Sequence, residues 1–132
     1  MSKMLSKAGQ ALATKTDMRS VKNALNILLL NALSQEVTAI QINPGVQEIY
    51  MIHPSRGRLD VSPLQTSDMC QCIINRLKIM ARLDLEPVST TKTGKIELAV
   101  MSRPLYINIT VSPSADCEVA AIRLSRIKED LQ

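Results

Sequence analysis

The chain has 132 residues, with no phenylalanine, no tryptophan and only two aromatic side chains, Tyr50 and Tyr106. An interior must be filled by Ile, Leu, Val and seven Met. Methionine fits irregular gaps but specifies one packing less sharply than a ring does. The scarcity of rings also speaks against nucleic acid held by base stacking. Histidine is equally sparse. A single His53 beside Pro54 leaves no recognisable triad or metal motif, and predicts an exposed turn residue. Three cysteines make an odd number. Cys70 and Cys72, two apart on a helix, would point to different faces, and Cys117 is distant. A zinc site needs four suitably arranged ligands, so buried or reduced thiols are expected and no metal or cofactor is implied. The pattern fits a reducing compartment better than a secreted disulfide framework. No apolar run approaches the roughly 20 residues that span a bilayer. The longest cluster, Ala24–Leu33, is broken by Asn26 and Asn31. Residues Met1–Thr14 lack the apolar stretch of a secretory signal. They are basic, Ser-containing and free of acid, which leaves a transit-peptide-like reading open.

What is present reads as globular: 45% hydrophobic and 21% charged residues, in a length that suits one domain with a real core. The net charge of +4 sits at the start. Lys3, Lys7, Lys15, Arg19 and Lys22 face only Asp17, while the rest of the chain is balanced. A basic arm favours acidic partners, anionic lipid or nucleic acid. The expected organisation is a flexible basic arm over 1–16, one domain over 17–127 and a tail over 128–132.

Asp17 is a candidate N-cap. Val21, Leu25, Leu28, Leu29 and Ala32 follow at helical spacing. Ile27, Leu30 and Leu33 widen the stripe and predict a heavily buried helix ending near Ser34-Gln35. Val37–Asn43, Ile49–Ile52 and Arg58–Val61 read as strands of a meander, separated by Pro44-Gly45 and by His53–Gly57. Ser62 or Thr66 would cap a second helix with the stripe Met69, Cys72 or Ile73, Leu77 and Met80, flanked by Ile74 and Ile79. Arg76, Lys78 and Arg82 suit its C-terminal dipole. A polar loop through Ser89–Gly94 leads to strands Lys95–Met101, Leu105–Val111 and Glu118–Leu124, parted by Arg103-Pro104 and Ser112–Asp116. Lys92-Thr93-Gly94-Lys95 reads as a hairpin turn. The order α-βββ-α-βββ predicts an α+β fold: a mostly antiparallel sheet of about six strands, two helices on one face, and a solid aliphatic core.

The run Arg76-Leu77-Lys78-Ile79-Met80-Ala81-Arg82-Leu83-Asp84-Leu85 resembles Arg-Ile-Lys-Val-Met-Ala-Gly-Leu-Asp-Ile of the ATPases that drive type II secretion and type IV pilus assembly. Other segments fall in the same order. Thr38–Pro44 is similar to a Ser-Asp-Ile-His-Ile-Glu-Pro strand, and Ile49–Ile52 with Gly57 to Arg-Tyr-Arg-Ile-Asp-Gly, with His53 where that pattern has its acid. Lys92–Lys95 stands where the family has Pro-Gln-Asp-Gly-Arg. Tyr106–Ser112 and Val119–Leu124 resemble its last two strands. The resemblance covers roughly residues 18–126. It implies the PAS-like domain that adjoins the motor, whose arginines reach toward bound nucleotide. The matching positions here are Met51, Lys95, Ile109 and Arg123, of which Lys95 and Arg123 keep a charge. The phosphate-cradling Gly-x-x-x-x-Gly-Lys-Ser/Thr run does not occur in the sequence.

The resemblance therefore implies a non-enzymatic interaction or regulatory module. It would dock on a secretion or pilus ATPase or its membrane platform, in the cytoplasm at the periphery of a secretion complex. Candidate contact residues are Lys3, Lys7, Lys15, Arg56, Arg58, Lys95 and Arg123. A small-ligand-sensing PAS-like domain and a weak nucleic-acid binder are the alternatives, and self-association is left open.

Overall fold

A computed structural model describes residues 18–61, 67–115 and 117–127. The expected caps Asp17, Ser62 and Thr66, the arm lysines Lys3, Lys7 and Lys15, and the tail 128–132 lie outside these residues. The elements are α1 (Met18–Ser34), β1 (Ala39–Asn43), a 3-10 turn (Pro44–Val46), β2 (Glu48–His53), β3 (Gly57–Asp60), α2 (Ser67–Met80), β4 (Lys92–Val100), β5 (Arg103–Ser114) and β6 (Cys117–Ser125). The six strands form one sheet in the order β3-β2-β1-β6-β5-β4, with every neighbouring pair antiparallel. The fold is α+β.

Strand alternation decides which side chains meet. One row of Cα partners reads Leu59–Met51–Ile40–Ile122–Ile109–Gly94 across all six strands. The next reads Ile49–Ile42–Ala120–Val111–Lys92. These rows, with Leu105, Ile107, Ile96 and Leu124, make the inner face. Val21, Leu25, Leu28, Leu29 and Ala32 of α1 and Cys70, Ile73, Ile74 and Leu77 of α2 complete a single aliphatic core over it. Burying an Ile, Leu or Met side chain contributes about 1.5–3 kcal/mol, so this one face supplies most of the drive to fold. Gly94 ends its row for a steric reason. A Cβ there would lie 2.7 Å from that of Ala81, so only glycine lets the Ala81–Leu83 corner close over β4.

Both helices end in the same way. Glu36 and Arg82 adopt positive φ, 58° and 62°. Val37 N–H then donates to Ala32 O and Leu83 N–H to Lys78 O. This six-to-one closure usually places glycine at the left-handed residue. In the second case the residue is Arg82, where the resembling motif has Gly.

Several expectations need correction. α1 is covered on one side only, so Ile27 and Leu30 are 61% and 44% exposed rather than buried. On α2 the buried stripe is Cys70, Ile73, Ile74, Leu77 and Lys78, while Met69, Cys72 and Met80 are half-buried and Ile79 is exposed. Lys92–Lys95 is no turn. It opens β4, whose ladder with β5 runs unbroken from Lys92↔Val111 to Val100↔Arg103. The turn is Met101-Ser102, both at positive φ (56° and 63°), a two-residue hairpin of the kind that normally takes Asn-Gly. Arg103-Pro104 and Ser112–Ser114 are therefore strand, not loop.

A buried ion pair and a candidate interaction face

The core is not purely aliphatic. Glu118 shares its strand face with Ala120, Ile122 and Leu124 and is 3% exposed; Lys78 is fully buried. Lys78 Nζ donates to Glu118 Oε2 at 2.6 Å. Val88 N–H donates to the same oxygen at 2.7 Å, and Gln71 Nε2 to Oε1 at 2.9 Å. Lys78 also donates to Glu86 O. Burial pushes the Glu118 carboxyl up, but the Lys78, Val88 and Gln71 donors outweigh it and hold the carboxyl below its ordinary value. The cluster ties α2, the 86–88 segment and β6 together. Gln71, Asn75, Val88, Cys117 and Glu118 also line a surface cleft. Both carboxylate oxygens already accept hydrogen bonds from within the protein.

The expectation that Lys78 serves the helix dipole, with no polar group inside, is thus corrected. The sequence carries the signal: Lys78 lies four and eight residues after Ile74 and Cys70, and Glu118 is in phase with Ala120 and Ile122. Cys70 is also inside, and burial pushes its thiol up, away from the reactive thiolate.

The outer face is different in kind. In register, Arg58 is opposite Ile52, Ile52 opposite Ala39, Ala39 opposite Arg123, Arg123 opposite Asn108 and Asn108 opposite Lys95. Three candidate residues therefore stand in one row across the sheet. With strands about 4.8 Å apart, Arg58 and Arg123 are roughly 14 Å apart and Arg123 and Lys95 roughly 10 Å. The row beside it is Asp60–Tyr50–Gln41–Ala121–Thr110–Thr93. Small side chains at Ala39 and Ala121 leave this face shallow.

Arg58 is held in place. Its Nε donates to Asp60 at 2.8 Å and its NH2 group to Glu48 at 3.2 Å, and its guanidinium lies 3.9 Å over the Tyr50 ring. The Asp60 hydrogen bond, against slight desolvation and with help from Glu48, raises its pKa further. Arg123 and Lys95 are exposed and have no hydrogen-bond or ion-pair partner among the described residues. Arg56 sits apart in the β2–β3 turn, with its guanidinium on Gln35 O at 3.4 Å. His53 is the half-buried last residue of β2 rather than an exposed turn residue. Its Nδ1 accepts the N–H groups of Ser55 and Arg56 and so organises the turn.

Met51 and Ile109 point inward, at 2% and 0% exposure. Core packing accounts for their apolar character without reference to any lost charge. Among the described residues no three His, Cys, Asp or Glu side chains converge as a metal set, and no helix is long and apolar enough to cross a membrane.

No protein-family model matches the chain. It is 28% identical over 100 residues to Type II secretion system protein HxcR of Pseudomonas aeruginosa, covering 76% of this chain and 21% of that protein. It is 25% identical to Type II secretion system protein E of the same organism and 24% to that of Xanthomonas campestris pv. campestris, covering 20% and 18% of them. The chain thus spans about a fifth of the length of the curated relatives it matches.

Proposed function

We propose that this chain is a non-enzymatic interaction domain, akin to the PAS-like, motor-adjacent domain of type II secretion and type IV pilus ATPases. It docks on a motor subunit of that kind through the outer face of its sheet. The observation that carries the reading is the Arg58, Ile52, Arg123 and Lys95 row on a face that nothing among the described residues covers. The similarity to type II secretion system proteins supports the choice of partner. An exposed cation with no internal partner contributes little to folding, yet it can set the rate and register of association with an acidic surface. The shallow centre at Ala39 and Ala121 lets a partner approach the sheet, and Arg58 is pre-set by its two carboxylates. Lys3, Lys7 and Lys15 add positive charge to the same partner contact. The site of action is the cytoplasmic edge of a secretion complex.

Titration of the purified chain against a purified type II secretion ATPase tests this. Binding should weaken with salt, and Arg123→Glu should weaken it about tenfold or more while leaving the thermal melt unchanged. Binding to the membrane platform alone would change the partner. Binding that Arg123→Glu leaves intact would remove the outer face from the account.

A further inference from the structure

The two edges of the sheet are unlike. β3 is four residues long and carries the Arg58 clamp. β4 is nine residues long, pairs with β5 on one side, and among the described residues has no strand on the other. A free edge of that length presents a row of unpaired backbone donors and acceptors, which is a template for another strand. Its outward side chains are Thr93, Lys95, Glu97 and Ala99; its inward ones are Lys92, Gly94, Ile96, Leu98 and Val100. Lys95 and Glu97 are exposed, and among the described residues neither has a hydrogen-bond or ion-pair partner.

We propose that the β4 edge is a self-association surface, at which two copies pair β4 to β4 antiparallel with the two-fold axis at Ile96. A two-fold contact must be self-complementary, and this strand is so in one register. Centred on Ile96, all nine residues pair and Lys95 of each copy faces Glu97 of the other, twice. Moving the centre to Lys95 or to Glu97 sets like charges opposite each other, which is unfavourable. Moving it by half a residue sets inward side chains against outward ones and breaks the continuity of the faces. In the favoured register Leu98 of one copy comes opposite Gly94 of the other, where the row ends on Ala81 and Leu83, so apolar groups meet at the centre of the inner side, and the exposed Lys92 of each copy comes opposite Val100 of the other at its two ends. The helices of both copies lie on the same side of a continuous twelve-stranded sheet, and both outer faces stay open. Lysine on an edge normally deters indiscriminate pairing. Here it selects the one register that answers it with an acid.

Sedimentation velocity of the full chain tests the assignment through charge exchange. The wild type should dimerise. Lys95→Glu alone places Glu against Glu97 at both contacts, and Glu97→Lys alone places Lys against Lys95, so each should weaken the dimer about tenfold. Mixing the two variants restores opposite charge at both contacts and should give a heterodimer, which also shows that both variants are folded. A wild type that stays monomeric, a dimer insensitive to either substitution, or two monomeric variants that fail to associate on mixing would overturn the proposal.

Discussion

On the inner face of the sheet, Glu118 stands in line with Ala120, Ile122 and Leu124 and meets Lys78 at 2.6 Å. On the outer face, one residue out of phase, Arg123 stands between Ala39 and Asn108 with no hydrogen-bond or ion-pair partner among the described residues. The two charges belong to the same strand, five residues apart, and alternation alone sends them to opposite environments. Inside, a charge must bring its partner with it, because desolvation is costly. Outside, an unpaired charge costs little and remains available to another molecule. Charge on this protein is therefore informative only once its face is known.

The largest expected effect breaks the inner pair. Lys78→Ala or Glu118→Ala strands a buried charge and should cost about 3–5 kcal/mol in urea denaturation, while the joint replacement Lys78→Met with Glu118→Leu should recover much of the loss. Single losses under about 1 kcal/mol would mean that the pair is effectively solvated. Next, Ile122→Ala should cost about 2–5 kcal/mol, whereas Arg123→Ala, the adjacent residue, should stay within about 0.5 kcal/mol. Equal effects would erase the distinction between the faces.

pH sharpens the same comparison. The folded Glu118 carboxyl titrates below its unfolded value, so its contribution is full above the unfolded value and fades as pH falls through the folded one. The stability gap between wild type and Glu118→Gln should therefore be widest near neutrality and close below about pH 4.5. A gap that widens on acidification would reverse the sign assigned to the pair. The smallest effect is a gain. Arg82→Gly relieves a left-handed residue at the end of α2 and should stabilise by roughly 1 kcal/mol.

The alternation of Ile107, Ile109 and Val111 made the two faces legible in the sequence, and short links made the β1–β2–β3 meander legible. The Met101-Ser102 turn was hidden because neither residue signals positive φ, and the strand boundaries around it shifted as a result. Lys78 and Glu118 were each read within their own element. Their pairing spans 40 residues and depends on how α2 crosses the sheet. Arg58, Lys95 and Arg123 could be named one by one, but their alignment follows from register. Register needs every turn in place.

Site-specific photo-crosslinking tests the outer-face reading most directly. A photoreactive residue at Thr110, on the outer face beside Arg123, should capture a type II secretion ATPase. The same group at Ile27, exposed on α1 across the molecule, should not. Capture from Ile27 and none from Thr110 would contradict it.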